Sequence, residues 1–225
     1  MKSLVIDAAA SFMHIAAKND GFKAFLSLDL GQKQSQKLLP AIDYVLSQLD
    51  LKPTELDYTA LTSGPGTFTG LRLAFSALKA IELASGVPIY GVPSLDVYAF
   101  PFSSFDGLVV SVIDAKKDQF FAAIYENGRE ISAAEDTSVE KVAAKLDKSK
   151  KILLTGPDAA VFAEELKKCD ASLDITVYSS QPLPAESLFS IAEKMLEEKK
   201  SPLQDYDGPV YLRKSEAEIK LESGL

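Results

Sequence analysis

Val5-Ile6-Asp7-Ala8, close to the N-terminus, returns as Val112-Ile113-Asp114-Ala115 near the middle of the chain. The ungapped shift that superposes the two tetrads also places Gly21 on Gly128 and Ala16 on Ala123. A second echo follows in the same order, with Leu61-Thr62-Ser63-Gly64-Pro65 answered by Leu154-Thr155-Gly156-Pro157. Two matches in one order point to an internal duplication, so each half is read as a structural unit.

Around the first tetrad, apolar runs at 3–7, 11–17 and 22–28 read as strands, with Asn19-Asp20-Gly21 as a turn because these residues tolerate positive φ. Leu38, Leu39, Ile42, Val45, Leu46 and Leu49 recur at helical spacing and predict a helix over 35–49, with Pro40 in its first turns, where a missing N–H is tolerated. A strand at 58–62, a helix at 69–84 and a strand at 87–91 complete the half. The second half repeats the order, with strands at 108–113, 119–125 and 129–134, a helix at 137–147, a strand at 151–155, a helix at 158–168, a strand at 174–178 and a helix at 185–199. The expectation is an α/β chain of two βββαβαβ-type halves with mixed sheets flanked by helices. The halves are assigned to 1–103 and 104–225, joined through Phe100-Pro101-Phe102-Ser103-Ser104, with the last helix free to fold back onto the first half. The polar tail from Ser215 is expected to fray.

The chain has 225 residues, 47% hydrophobic and 25% charged, as in ordinary globular proteins. Its formal charge of -8 disfavours direct binding of RNA phosphates. The basic clusters at Lys148, Lys150 and Lys151 and at Lys199 and Lys200 have acidic neighbours and read as solvated helix ends and turns. The single cysteine, Cys169, permits no intrachain disulfide and is too little for a thiolate zinc site. Met1-Lys2 runs straight into a strand-like segment, and no apolar run is long enough to span a membrane; the expected location is cytoplasmic.

Ser63-Gly64-Pro65-Gly66-Thr67-Phe68-Thr69-Gly70-Leu71-Arg72 follows a strand and opens a helix. Glycines at a helix start can cradle a phosphate. However, Gly70 is followed by Leu71 rather than by the Lys-Ser/Thr of a P-loop, and the spacing is one residue longer than the dinucleotide fingerprint. The competing reading is a tight connector with Thr67 or Thr69 as helix N-cap. The helix that follows is apolar around a wide arc, with Arg72, Ser76, Lys79 and Glu82 as a narrow polar stripe. One sheet covers only part of such an arc. The surplus calls for the neighbouring helix 35–49 or for another polypeptide, which the small Ala77, Ala80 and Ala84 would admit closely.

Catalytic constellations are missing from the sequence. His14 is the only histidine, and it lies in a strand-like run, so a Ser-His-Asp triad would have to use it. No G-x-S-x-G elbow and no paired-histidine metal motif occurs. Asp7 and Asp114 each end a first strand, where a carboxylate could hold magnesium or cap the next turn through its own backbone.

Ser63 to Arg72 resembles the hallmark S/T-G-P-G-S-F-T-G-L-R of the TsaB (YeaZ) family, with Thr67 replacing a serine. Gln36 to Ile42, Val87 to Asp96, Asp114-Ala115-Lys116-Lys117 and Pro209-Val210-Tyr211-Leu212-Arg213 resemble further segments of that family. The resemblance implies a duplicated actin-like (ASKHA, ribonuclease-H-like) fold. It implies a non-catalytic scaffold that activates a metal-dependent TsaD-like subunit and works with a TsaE-like ATPase to place threonylcarbamoyl on tRNA adenosine. Contact with tRNA would be indirect, no cofactor or metal would be the chain's own, and ATP or ADP would sit only at the complex interface. A homodimer is expected when the chain is isolated. The implied interface uses Leu38, Ile42 and Val45 of the first helix. From the second it uses Leu71, Arg72, Ala74, Phe75, Ala77, Leu78, Ala80 and Ile81. Asp7-Ala8-Ala9 stands where the family commonly has Asp-Thr-Ser, and Gln34 stands where a histidine is frequent; both departures argue against nucleotide chemistry. The alternative remains a weak nucleotide-binding, sugar-kinase-like enzyme using Asp7 and the Gly64–Gly70 turn.

Overall fold

The computed structural model describes residues 1–29, 31–178 and 183–213. The frayed tail expected from Ser215 lies outside the described residues.

In the first half, β1 (Lys2–Asp7), β2 (Phe12–Asn19) and β3 (Phe22–Asp29) form an antiparallel meander, and α1 (Gln34–Ser47) leads to β4 (Tyr58–Gly64). Then α2 (Phe68–Ser85) leads to β5 (Ile89–Pro93), and β4 lies parallel to both β1 and β5, giving a sheet of order β3-β2-β1-β4-β5. A short helix α3 (Ser94–Ala99) and a 3-10 turn at Phe100–Phe102 carry the chain across.

The second half repeats this with β6 (Leu108–Lys116), β7 (Gln119–Glu126), β8 (Arg129–Thr137), α4 (Val139–Ala143), β9 (Ile152–Thr155), α5 (Ala159–Cys169) and β10 (Ile175–Val177). Its sheet order, β10-β9-β6-β7-β8, is the equivalent of the first. The duplicated α/β actin-like architecture is therefore present in the topology itself.

Three local differences from the sequence reading stand out, two of them with clear causes. Helix α4 is shorter than 137–147 because the winding tightens after Ala143, where the Lys145 and Leu146 N–H groups donate to Val142 O and Ala143 O, three residues back. Pro40 sits inside α1 rather than in its first turn. Helix α3 escaped the sequence reading because its six residues are too short for a periodic signal, although Leu95, Val97 and Tyr98 are all buried.

Helices α1 and α2 cover one face of the first sheet, over Leu4, Ile6, Met13, Ile15 and Leu61. The last helix, α6 (Pro184–Glu197), returns to the opposite face of that same sheet, where Leu188, Phe189 and Ala192 meet Val5, Tyr58 and Val92. Lys18, Glu193 and Tyr58 pin it there: the Lys18 ammonium is 2.5 Å from the Glu193 carboxylate and the Tyr58 hydroxyl donates to the same oxygen at 3.2 Å. A separate core joins the two halves, with Ala9, Leu71, Leu95 and Tyr98 of the first against Val109, Ile113, Phe121 and Tyr125 of the second.

Candidate functional site

The glycine segment Ser63–Gly70 lies against the turn after β1, and its glycines serve that approach. A Cβ on Gly66 would stand 2.5 Å from the Ala9 carbonyl oxygen and 2.8 Å from Ala9 Cα, and one on Gly70 would collide with the Ala8 carbonyl. Gly64, at φ +116°, runs under the carbonyl of Val210. The Thr67 N–H donates to Ala9 O at 2.7 Å, and its hydroxyl to Ala8 O at 3.3 Å. Thr67 occupies the N-cap position of α2, yet its side chain makes no cap bond because it is spent on Ala8. Gly64 N–H is taken by the Ser94 hydroxyl at 3.1 Å. The Gly64 and Thr67 N–H groups are thus engaged by the protein itself.

Asp7 is buried and surrounded by donors: Ala9 N–H at 3.1 Å, the Thr62 hydroxyl at 2.9 Å and the Tyr98 hydroxyl at 2.9 Å. Burial, reinforced by the Asp7 charge, pushes the Tyr98 phenol well above its ordinary value, so it stays a donor. Of the two roles open to Asp7, the structure shows turn capping. Asp114 behaves alike: its carboxylate accepts from the Lys116 N–H at 2.6 Å and pairs with the Lys116 ammonium, while its own N–H donates to Asp158 at 2.8 Å. Burial pushes the Asp158 carboxyl upward, against the opposing pull of that N–H. His14 lies on β2 with Nδ1 2.8 Å from the Ser27 hydroxyl, and burial holds its imidazole below the ordinary value. It borders a cavity of about 240 Å³ between the halves, shared with Ala10, Phe12, Tyr98, Pro157 and Pro184. Among the described residues, no lysine or arginine lines it. Cys169 is exposed at the end of α5, and Lys148, Lys150 and Lys200 pair with Asp170, Glu126 and Glu198. Among the described residues, no group of three or more His, Cys, Asp or Glu is placed to hold a metal ion. No described helix is long and apolar enough to cross a membrane.

The expected interface residues divide sharply. Leu38, Ile42, Val45, Leu71, Ala74, Phe75, Ala77 and Leu78 are all buried inside the chain. They are core residues, which corrects the expectation that they face a partner: α1 and the sheet absorb most of the wide apolar arc, and Leu203 from a C-terminal strap (residues 203–213) packs on the same core. Ile81 is half-buried, and only Arg72 and Ala80 of the expected set are exposed. The outer surface of this helix pair instead presents Leu39 and Tyr44 from α1 and Leu83, 91% exposed, from α2.

The sequence reading missed the strap as a structural part. Leu203 N–H donates to Ile89 O, Val210 N–H to Ser63 O, and Lys79 to Gln204 O, so the strap closes the β5 side of the first sheet and lies over the glycine segment. Tyr211 receives the Arg72 Nε–H at 3.1 Å, and Arg213 forks Asp136 at 2.6 and 2.7 Å in the other half while bonding Ala115 O. The resemblance of 209–213 to a family segment was the signal that could have flagged it.

A family model described as TsaD, tRNA N6-adenosine threonylcarbamoyltransferase, matches residues 29–221. The Bacillus subtilis tRNA threonylcarbamoyladenosine biosynthesis protein TsaB is 27% identical over 98% of this chain and 97% of its own length. The chain belongs to that family, in its TsaB (YeaZ) branch. Escherichia coli TsaB is 30% identical over 57% of this chain and 58% of its own. The solved YeaZ of Pseudomonas aeruginosa superposes with a TM-score of 0.77 over 94% of this chain and 99% of its own, at 22% identity. A Bacteroides thetaiotaomicron protein with an actin-like ATPase fold and unknown function gives 0.51 over 84% and 95% at 10% identity. These structures share the fold of this TsaB-family chain.

Proposed function

We propose that the chain serves tRNA threonylcarbamoyladenosine biosynthesis as a non-catalytic scaffold, docking and activating a TsaD-like metal-dependent transferase alongside a TsaE-like ATPase. The observation that carries this reading is the internal use of the groups a nucleotide would need: Gly66 and Gly70 pack against Ala9 and Ala8, and Asp7 accepts from three internal donors. A sugar-kinase-like enzyme needs those groups free for nucleotide and magnesium. The chain therefore supplies surface rather than chemistry, with ATP or ADP entering only where a partner completes a site. Its charge of -8 leaves tRNA contact to the partner. The docking face is the outer side of α1 and α2, where Leu39, Tyr44 and Leu83 remain uncovered, and in isolation the same face pairs two copies into a homodimer.

Ala80→Glu tests this reading, because Ala80 is exposed whereas a charge at buried Ala77 would damage the core. The variant should keep its melting temperature and lose binding to the TsaD-like protein of the same cell, measured by calorimetry. Wild-type affinity in Ala80→Glu, or tight binding of magnesium-ATP by the chain alone, would overturn the proposal.

A further inference from the structure

We infer that Arg72 is a preoriented receptor for a partner's carboxylate, held in position by the C-terminal strap. The inference rests on the docking reading above and names the chemistry of one contact within it. The Arg72 guanidinium lies 3.7 Å from the centre of the Phe68 ring and 6.0 Å from that of Tyr211, and its Nε–H is tied to the Tyr211 hydroxyl. The two rings stand 5.1 Å apart at 32°. Stacking and one hydrogen bond therefore fix the guanidinium plane. Tyr211 cannot drift, because the strap is anchored on either side of it by Val210 to Ser63 and by Arg213 to Asp136.

Both Nη groups of Arg72 are left without a hydrogen bond or ion pair among the described residues. Arg213, in contrast, is saturated by Asp136 and Ala115. In a chain with 32 acidic and 24 basic side chains, an exposed arginine with no acid beside it among the described residues is an exception that its surroundings must explain. A planar fork with its plane already fixed matches a carboxylate in two parallel hydrogen bonds, and loses little further entropy on binding. Phe68 and Tyr211, each 39% exposed, flank it with their rings. An aromatic and arginine cluster is the composition of an interface hot spot. The occupant is an Asp or Glu side chain of the TsaD-like partner, set among apolar residues. An RNA phosphate is disfavoured by the net charge, and Lys79 on the same helix is already engaged by Glu82 and Gln204.

Binding of the full-length chain to the TsaD-like protein of the same cell, by calorimetry at two salt concentrations, tests this. Arg72→Lys keeps the charge and loses the fork, and should weaken binding about tenfold. Arg72→Gln should weaken it about 30-fold or more and flatten the salt dependence. Tyr211→Ala keeps the arginine but frees its plane, and should fall near Arg72→Lys, with its melting temperature reporting any loosening of the strap. If wild type binds and the Arg72 variants match it within twofold, the inference fails while docking stands. If wild type does not bind, the docking reading fails and takes the inference with it. If the variants lose affinity for tRNA but not for the protein, the ligand is a phosphate and the carboxylate assignment is wrong.

Discussion

Replacing Gly66 by alanine separates a glycine kept for internal packing from one kept for a ligand. The new Cβ would stand 2.5 Å from Ala9 O and 2.8 Å from both Ala9 Cα and Ala9 Cβ. Carbon atoms rest at about 3.5–4.0 Å, so three contacts must open by roughly 0.7 Å or more at once. No flexible side chain can rotate to relieve them, because the neighbours are the backbone and Cβ of a residue with 0% exposure. Overpacking of this kind costs about 1–3 kcal/mol. The adjacent Thr67 to Ala9 hydrogen bond, if lost, adds about 1 kcal/mol. A total of about 2–4 kcal/mol lowers the melting temperature of a chain this size by roughly 5–12 °C. Gly21→Ala is the control: nothing lies within 4 Å of its Cβ, and its effect should stay within about 0.5 kcal/mol. Thermal denaturation of the three proteins, with magnesium-ATP calorimetry on each, gives the answer. A Gly66→Ala protein that melts within about 2 °C of wild type, having lost a nucleotide affinity that wild type possesses, would refute the packing argument.

Three further outcomes follow from the geometry. His14 has its pKa held below 6.5 by burial, so the unfolded chain takes the proton first; this contribution to stability is complete above about pH 6.5 and is lost as pH falls toward the folded value. His14→Phe should therefore lose less melting temperature than wild type between pH 7 and 5.5; parallel curves would show that the imidazole is not desolvated. Glu193→Ala strands Lys18 and the Tyr58 hydroxyl beneath α6, and urea denaturation should record a loss of about 2 kcal/mol, less than for a fully buried pair because both groups are partly exposed. Arg213→Ala removes the fork on Asp136 and the bond to Ala115, and should cost about 1–2 kcal/mol while making residues 203–213 the first site of limited proteolysis; protection equal to wild type would show that the strap is held elsewhere.

The duplication, the order of strands and helices in both halves, and the place of the glycine segment could all be read from residues a few positions apart. Alternation along a strand and recurrence along a helix are local properties, so Val5 to Ala8 and Val112 to Ala115 announce their strands by themselves. The periodic pattern of α2 showed that it had a wide apolar arc, but not what would cover it. In the folded chain α1, the sheet and Leu203 take most of that arc, and they come from segments far away in sequence. The same limit hid the purpose of Gly66, the three donors on Asp7 and the grip of Tyr211 on Arg72. A residue's spacing tells which side of its element is apolar; which surface meets that side, and at what distance, depends on how remote segments pack, and that is a property of the fold as a whole.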